Sequence, residues 1–158
     1  MKSRIYVETS VISYLAARPT ANAVNAARQY FSYQLWQRRE ELGLVVSNAV
    51  IDEASDGDAQ AAAARLNYCS SLQVLQVPDE AITLARELVL RKVMPGKAYA
   101  DAVHIAVAAL HRVQFIASWN FRHIAGPLAK RNIELALTQL GYNPPMIATP
   151  EDLLESIR

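Results

Sequence analysis

Arg4-Ile5-Tyr6-Val7-Glu8-Thr9-Ser10-Val11-Ile12-Ser13-Tyr14-Leu15 is the stretch whose reading decides the fold. Ile5, Tyr6 and Val7 are β-branched or aromatic residues in a short apolar run, which suits a strand buried on both faces. The run stops at an acid followed by two hydroxyls, so the strand ends at Glu8. Thr9 or Ser10 then caps a helix carrying Val11, Ile12, Tyr14 and Leu15. In open α/β sheets the point where a parallel strand gives way to a helix is where ligands bind. Glu8 alone is equally well explained as an acid complementing a helix dipole, so the question is whether other carboxylates converge on it.

Outward from this stretch the chain alternates strands and helices. Arg18-Pro19-Thr20 marks a break, and residues 21–42 then run without Gly or Pro. Val24, Ala27, Tyr30, Phe31, Leu35 and Trp36 recur there at helical spacing, which predicts one long amphipathic helix with its aromatic stripe in the core. Gly43 ends it, and Leu44-Val45-Val46 makes a second buried strand. Ser47 or Asn48 caps a helix holding Asp52 and Glu53; it follows its strand directly, as the first helix does, so Glu53 is the second candidate acid. Asp56-Gly57-Asp58 reads as a turn that caps a helix over 59–66. Residues 72–77 alternate as a third strand, and Pro78-Asp79-Glu80 opens a helix running to about Val93, with Ile82, Leu84, Leu88, Val89 and Leu90 as its apolar face.

The segment 98–110, Ala-Tyr-Ala-Asp-Ala-Val-His-Ile-Ala-Val-Ala-Ala-Leu, holds one carboxylate, Asp101, among residues that are nearly all small or apolar. Such a helix is buried on most sides, and an ionised carboxylate placed there is costly unless something positive meets it. Lys97, four residues earlier, offers an i,i+4 ion pair; the sharper reading turns Asp101 into a cleft to bind a cation. His104, one turn on, suits a satisfied core histidine, since no second histidine stands at metal spacing. Residues 114–118 form a fourth strand ending in Trp119-Asn120, which puts Asn120 where Glu8 stands after the first strand, able either to cap a helix or to lend an oxygen to a hard cation. Residues 125–140 are helical, with Leu128, Ile133, Leu135 and Leu137. Met146-Ile147-Ala148 is a last strand, and Thr149-Pro150 starts a final helix.

The resulting expectation is an α/β protein, a three-layer α/β/α fold with a mostly parallel central sheet of four to five strands, in a single domain over 1–158. The single cysteine, Cys69, suits a small apolar core position and forms no intrachain disulfide. A balance of 16 Lys+Arg against 15 Asp+Glu argues against gripping long duplexes by bulk charge but leaves room for a small nucleic-acid site. The N-terminal apolar run breaks at Glu8 without a cleavage site, and no stretch is long enough to cross a bilayer, so a cytoplasmic protein away from membranes is expected. No P-loop, G-x-S-x-G elbow or G-x-G-x-x-G loop is present.

Glu8, Glu53, Asp101 and Asn120 all fall at strand ends or on helices able to open toward the C-terminal edge of the sheet. Carboxylates sharing a site repel one another, and a hard divalent cation such as Mg²⁺ or Mn²⁺ relieves that repulsion. Metal-assisted attack of water on a phosphodiester is chemistry within reach of such a cluster. Four segments, Tyr6-Val-Glu-Thr-Ser-Val-Ile-Ser-Tyr-Leu15, Ser47-Asn-Ala-Val-Ile-Asp-Glu53, Ala100-Asp-Ala-Val-His-Ile-Ala106 and Ser118-Trp-Asn-Phe121, together resemble the PIN domain family, in particular toxin ribonucleases of the VapC type. That resemblance implies Mg²⁺ or Mn²⁺ dependence, cleavage of single-stranded or structured RNA, a cognate antitoxin and a homodimer. Carried over by position, Glu8 takes the place of the family's first Asp, Glu53 matches its Glu, Asp101 matches the Asp of its buried helix, and Asn120 stands where many members have a fourth acid. Glu8, Glu53 and Asp101 are then the metal ligands, with Asn120 completing the catalytic set. Thr9 or Ser10 would orient a bound water, and Lys97 would meet a substrate phosphate. Glu8 is one methylene longer than Asp and Asn120 lacks a charge, so weaker or one-metal catalysis is implied. Two rivals remain: a PIN-like module that binds RNA or a protein without cleaving, and a receiver-type phosphoacceptor, which would want an Asp at the end of a central strand.

Overall fold

Ile5, Tyr6 and Val7 are each at most 2% exposed, so the first strand must be covered on both faces and flanked on both edges. The computed structural model, which describes residues 3–157, meets that demand with a five-stranded parallel sheet. Its strands are β1 (Ile5–Val7), β2 (Leu44–Ser47), β3 (Gln73–Leu75), β4 (Phe115–Ala117) and β5 (Met146–Ala148), in the order β3-β2-β1-β4-β5. Nine helices flank it among the described residues: α1 (Thr9–Ala16), α2 (Ala23–Gln37), α3 (Arg39–Leu42), α4 (Asn48–Ala54), α5 (Ala59–Cys69), α6 (Asp79–Leu90), α7 (Tyr99–Leu110), α8 (Pro127–Gln139) and α9 (Pro150–Ser156). This is the expected three-layer α/β/α arrangement.

The chain steps from β1 to β2 and β3 on one side, then returns to place β4 and β5 on the other. The switch point of the sheet therefore lies between β1 and β4, the crevice where such sheets bind ligands. Val7 pairs with Ala117, so the residues that follow them, Glu8 and Ser118, leave the sheet side by side. The Glu8 N–H donates to the Ala117 carbonyl at 3.1 Å and carries the ladder one residue past the strand.

Local signals account for most element starts. Ser47, Asp58 and Thr149 each accept a backbone N–H at the start of α4, α5 and α9, and Pro150 opens α9. Gly43 ends α3 at φ 62°, and a Cβ there would come within 2.7 Å of the Ser3 carbonyl, so a side chain would be both strained and obstructed. All residues from Ala102 to Ala109 on α7 are buried, as a helix of small and apolar residues requires. Cys69 is buried, and desolvation pushes its thiol up to about 11, which leaves it an inert core residue.

Several expectations are corrected. The helix over 21–42 is broken at Arg38 into α2 and α3, and its stripe is core only in part: Leu35 is fully buried and Phe31 and Trp36 pack partly buried against the core, whereas Val24 and Tyr30 are both 59% exposed. The reason is the orientation of α2, which turns Ser32 and Leu35 fully inward, sets Asn25 and Arg28 against the Tyr14 hydroxyl, and leaves Val24 and Tyr30 at the surface. Glu8, and not Thr9 or Ser10, caps α1, through the Ser10 N–H. The third strand is shorter than 72–77 because it lies at the sheet edge, with Gln73 and Val74 exposed. α5 runs on past 66 to Cys69, α6 stops at Leu90, and Leu90, Leu128 and Leu135 face outward.

Leu35 and Val24, both on that stripe, separate its buried part from its exposed part. Leu35→Ala should cost about 2–5 kcal/mol in urea unfolding, whereas Val24→Ala should stay within about 0.5 kcal/mol. A large loss at Val24 would mean that the whole stripe is core after all.

Candidate active site

Glu8 leaves the central strand at the switch point and is only 4% exposed. A carboxylate so buried has to be solvated by the protein. Its Oε2 accepts the Ser10 N–H at 2.8 Å, and its Oε1 accepts the hydroxyls of Ser10 at 2.8 Å and Ser118 at 2.5 Å. Ser118 follows β4 and is fully buried, and its hydroxyl oxygen also accepts the Asn120 N–H at 3.0 Å.

Glu53 reaches the same edge from α4 and is half-buried. Its Oε1 accepts the Thr9 hydroxyl at 2.7 Å and is paired with Nε2 of His104. Behind it runs a buried polar chain. His104 Nδ1 lies 2.6 Å from the Tyr6 hydroxyl, which lies 2.7 Å from the Ser47 hydroxyl. Desolvation alone would lower the His104 pKa, but the bond to Glu53 and the charges of Glu8, Glu53 and Asp101 outweigh it and leave it raised. Desolvation pushes Glu53 up, yet the bonds to His104 and Thr9 with the His104 charge hold it below the usual carboxylate range. Burial chiefly, with the charges of Glu8 and Glu53, keeps the Tyr6 hydroxyl protonated. If charged, His104 donates from both nitrogens, to Glu53 and to Tyr6, and Tyr6 then donates to Ser47.

Asp101 stands in the first turn of α7, half-buried. Burial first, and then the charge of Glu8, raise its pKa; His104, His123 and a hydrogen bond from the Asn120 side chain offset this only in part. Asn120 follows β4, and its Oδ1 accepts the His123 N–H at 3.1 Å. Lys97 is exposed in a short 3-10 turn before α7, and the described residues show no ion pair between it and Asp101. Glu8, Asp101, Asn120, Glu53, Thr9 and Ser10 are thus joined by hydrogen bonds or mutual charge, and Lys97 is not.

Among the described residues no three His, Cys, Asp or Glu side chains are grouped as a metal ion would need them. Glu8 is turned to Ser10 and Ser118, and Glu53 to Thr9 and His104. In donor type and charge the residues do fit a hard divalent cation. Three carboxylates supply oxygen, and Asp101 carries a repulsion from Glu8 that its neighbours do not fully relieve.

Sequence reasoning reaches Ser47 only as the cap of α4 and does not reach Ser118 or Tyr6 as site residues. Tyr6 had a usable signal, since a tyrosine inside a doubly buried strand must find a partner for its hydroxyl. Ser118 and Ser47 had none beyond their places at strand ends.

The sequence profile of the PIN domain family matches residues 5–125. No curated protein matches the chain. Among solved structures, VapC20 of Mycobacterium tuberculosis, described as a sarcin-ricin loop cleaving toxin, is similar at a TM-score of 0.58 and 21% identity, covering 75% of this chain and 91% of its own. VapBC2 of Rickettsia felis, bound to a DNA fragment from their promoter, gives 0.56 at 12% identity over 92% and 98%. FitAcB of Neisseria gonorrhoeae gives 0.54 at 14% identity over 92% and 97%. At these identities the likeness is one of fold.

The Glu53–His104 pair predicts a pH window. Glu53 lies below its usual 4.5 when folded, so its contribution is present above about pH 4.5 and is lost as pH falls through the lower folded value. His104 lies above its usual 6.5, so its contribution is complete below about pH 6.5 and is lost as pH rises through the raised folded value. In metal-free protein the stability lead of wild type over His104→Gln, read from urea midpoints, should be greatest between those values and shrink on the alkaline side. A lead that stays constant to about pH 9 would exclude a charged His104.

Proposed function

Since this chain belongs to the PIN domain family, we propose that it is a divalent-metal-dependent endoribonuclease, the toxin of a type II toxin-antitoxin pair, hydrolysing phosphodiesters of single-stranded or structured RNA. Members of the family are generally nucleases and generally depend on a divalent metal. The observation that carries the proposal is electrostatic. Glu8 follows the central strand at the switch point of a parallel sheet, Glu53 and Asp101 stand on the neighbouring helices α4 and α7, and the charge of Glu8 raises the pKa of Asp101.

Glu8, Glu53 and Asp101 would hold Mg²⁺ or Mn²⁺. The ion supplies positive charge for the phosphodiester oxygens and makes water a stronger acid. The chain's own residues keep the acids in place. Ser10 and Ser118 hold Glu8 through hydroxyls, Thr9 and His104 hold Glu53, and the Asn120 amide holds Asp101. With its oxygen given to the His123 N–H and its side chain favouring the charged form of Asp101, Asn120 serves as an orienting group in this reading. An antitoxin partner and a homodimer belong to the same proposal, and the exposed Val24, Tyr30 and Tyr33 on α2 offer apolar surface for such contacts. A module that binds RNA or protein without cleaving is the competing reading, favoured by the hydroxyl and imidazole partners that already satisfy Glu8 and Glu53.

Purified protein should cleave a mixed pool of single-stranded RNA with Mn²⁺ or Mg²⁺ and lose that activity in EDTA. Asp101→Asn should lower the rate at least about 100-fold, since groups standing behind a metal ligand already cost 10–100-fold. Stability should move the opposite way. A carboxyl whose folded pKa is raised opposes folding once ionised, so in EDTA at neutral pH Asp101→Asn should melt above wild type. Added Mn²⁺ should raise the melting temperature of wild type and leave the variant unchanged. Absence of both cleavage and Mn²⁺ stabilisation would favour the binding module.

A further inference from the structure

The inward face of α2 builds a second cluster against the acidic site. The Arg28 guanidinium lies over three aromatic rings, 5.8 Å from the centroid of Tyr14, 5.7 Å from Trp119 and 5.3 Å from Phe121. Its Nη1 donates to the Tyr14 hydroxyl at 3.1 Å, and among the described residues no carboxylate pairs with it. Tyr14 and Trp119 meet edge to face at 6.3 Å, and the Trp119 indole N–H donates to the buried Ser32 hydroxyl at 2.8 Å. Tyr14 and Trp119 are thereby built into the protein. Phe121 is not, for it remains 44% exposed beside the cation.

This cluster is continuous with the acids. The Trp119 backbone N–H donates at 2.9 Å to the Ser10 hydroxyl that in turn donates to Glu8, and Phe121 directly follows Asn120, the partner of Asp101. A π-helical turn over Phe121–Ala125 presents the ring, its wide loop closed by the Ala125 N–H on the Asn120 carbonyl at 2.7 Å. Gly126 permits it, because a Cβ there would stand 2.2 Å from the Phe121 carbonyl oxygen.

We infer that Phe121, backed by Arg28, is a stacking subsite for an unpaired base of the RNA strand whose phosphodiester lies at Glu8, Glu53 and Asp101. The inference rests on the nuclease reading above and adds to it how the strand is held. Single-stranded nucleic acid binds where an aromatic face receives a base and a nearby cation offsets the backbone charge, and Arg28 is a cation built against the Phe121 ring. Stacking accepts any base, so this subsite selects unpaired over paired nucleotides and leaves base identity to other contacts.

The test measures binding by fluorescence anisotropy in the non-cleaving Asp101→Asn background with Mn²⁺. The probes are a labelled single-stranded RNA of about twelve nucleotides, within the usual span of such sites, and an abasic ribose-phosphate strand of the same length. Adding Phe121→Ala should weaken binding of the base-bearing strand roughly ten-fold, Phe121→Trp should restore it, and the abasic strand should bind all three proteins alike. Unchanged affinity in Phe121→Ala, or an equal loss for both strands, would overturn the stacking site. Wild-type cleavage of the same RNA with Mn²⁺ judges the nuclease reading separately. Cleavage alongside an indifferent Phe121→Ala removes the subsite alone, whereas neither cleavage by wild type nor binding by Asp101→Asn removes both.

Discussion

A carboxylate buried at the end of the central strand is the constraint on which the rest of this structure depends. Glu8 sits where β1 and β4 release their chains, 4% exposed, and three donors within 2.8 Å hold it. Those donors come from the first turn of α1 and from the end of β4, so the charge ties the helix that follows β1 to the strand beside it. Without them the burial of an ionised group would cost several kcal/mol. With them the Glu8 charge becomes a fixed source of field, felt at Asp101, His104 and Tyr6.

The two other acids answer that field differently. Glu53 gains an imidazole partner in His104, and the pair is anchored through Tyr6 and Ser47 to the two central strands. Asp101 gains only an amide and distant imidazoles and stays electrostatically unrelieved. One acid is therefore rigidly held and another is held in a state that a cation would improve. Active sites commonly keep such local conflict, supported by a framework stable enough to carry it. Here that framework is the fully buried stretch of α7 against the sheet.

Much of this was legible from short segments, because the controlling physics is local. A β-branched run followed by a capping helix identifies a strand end whatever surrounds it, which is why the residue pattern alone places Glu8 at the end of its strand and Glu53 on the helix that directly follows the next one. Asp101 was legible through contrast, as one charge in a helix with no polar face. The stripe of α2 was legible only in part, with Leu35 buried and Phe31 and Trp36 against the core, because periodicity reports that one face differs from the other and not how far each residue on it turns inward. Val24 and Tyr30 went to the surface while Arg28 and Ser32 went to the inside, where Trp119 and Tyr14 had polar atoms and ring faces to satisfy.

The sequence by itself determined the alternation of strands and helices, the parallel sheet that follows from it, and the placing of three acids and an amide at the ends of their elements. These depend on residues a few positions apart. Only the tertiary structure decided the strand order that puts Glu8 beside Ser118, the pairing of Glu53 with His104, and the gathering of Tyr14, Trp119 and Phe121 around Arg28. Each of those joins residues distant in the chain, and partners of that kind are chosen by how buried polar groups find one another once the layers have packed.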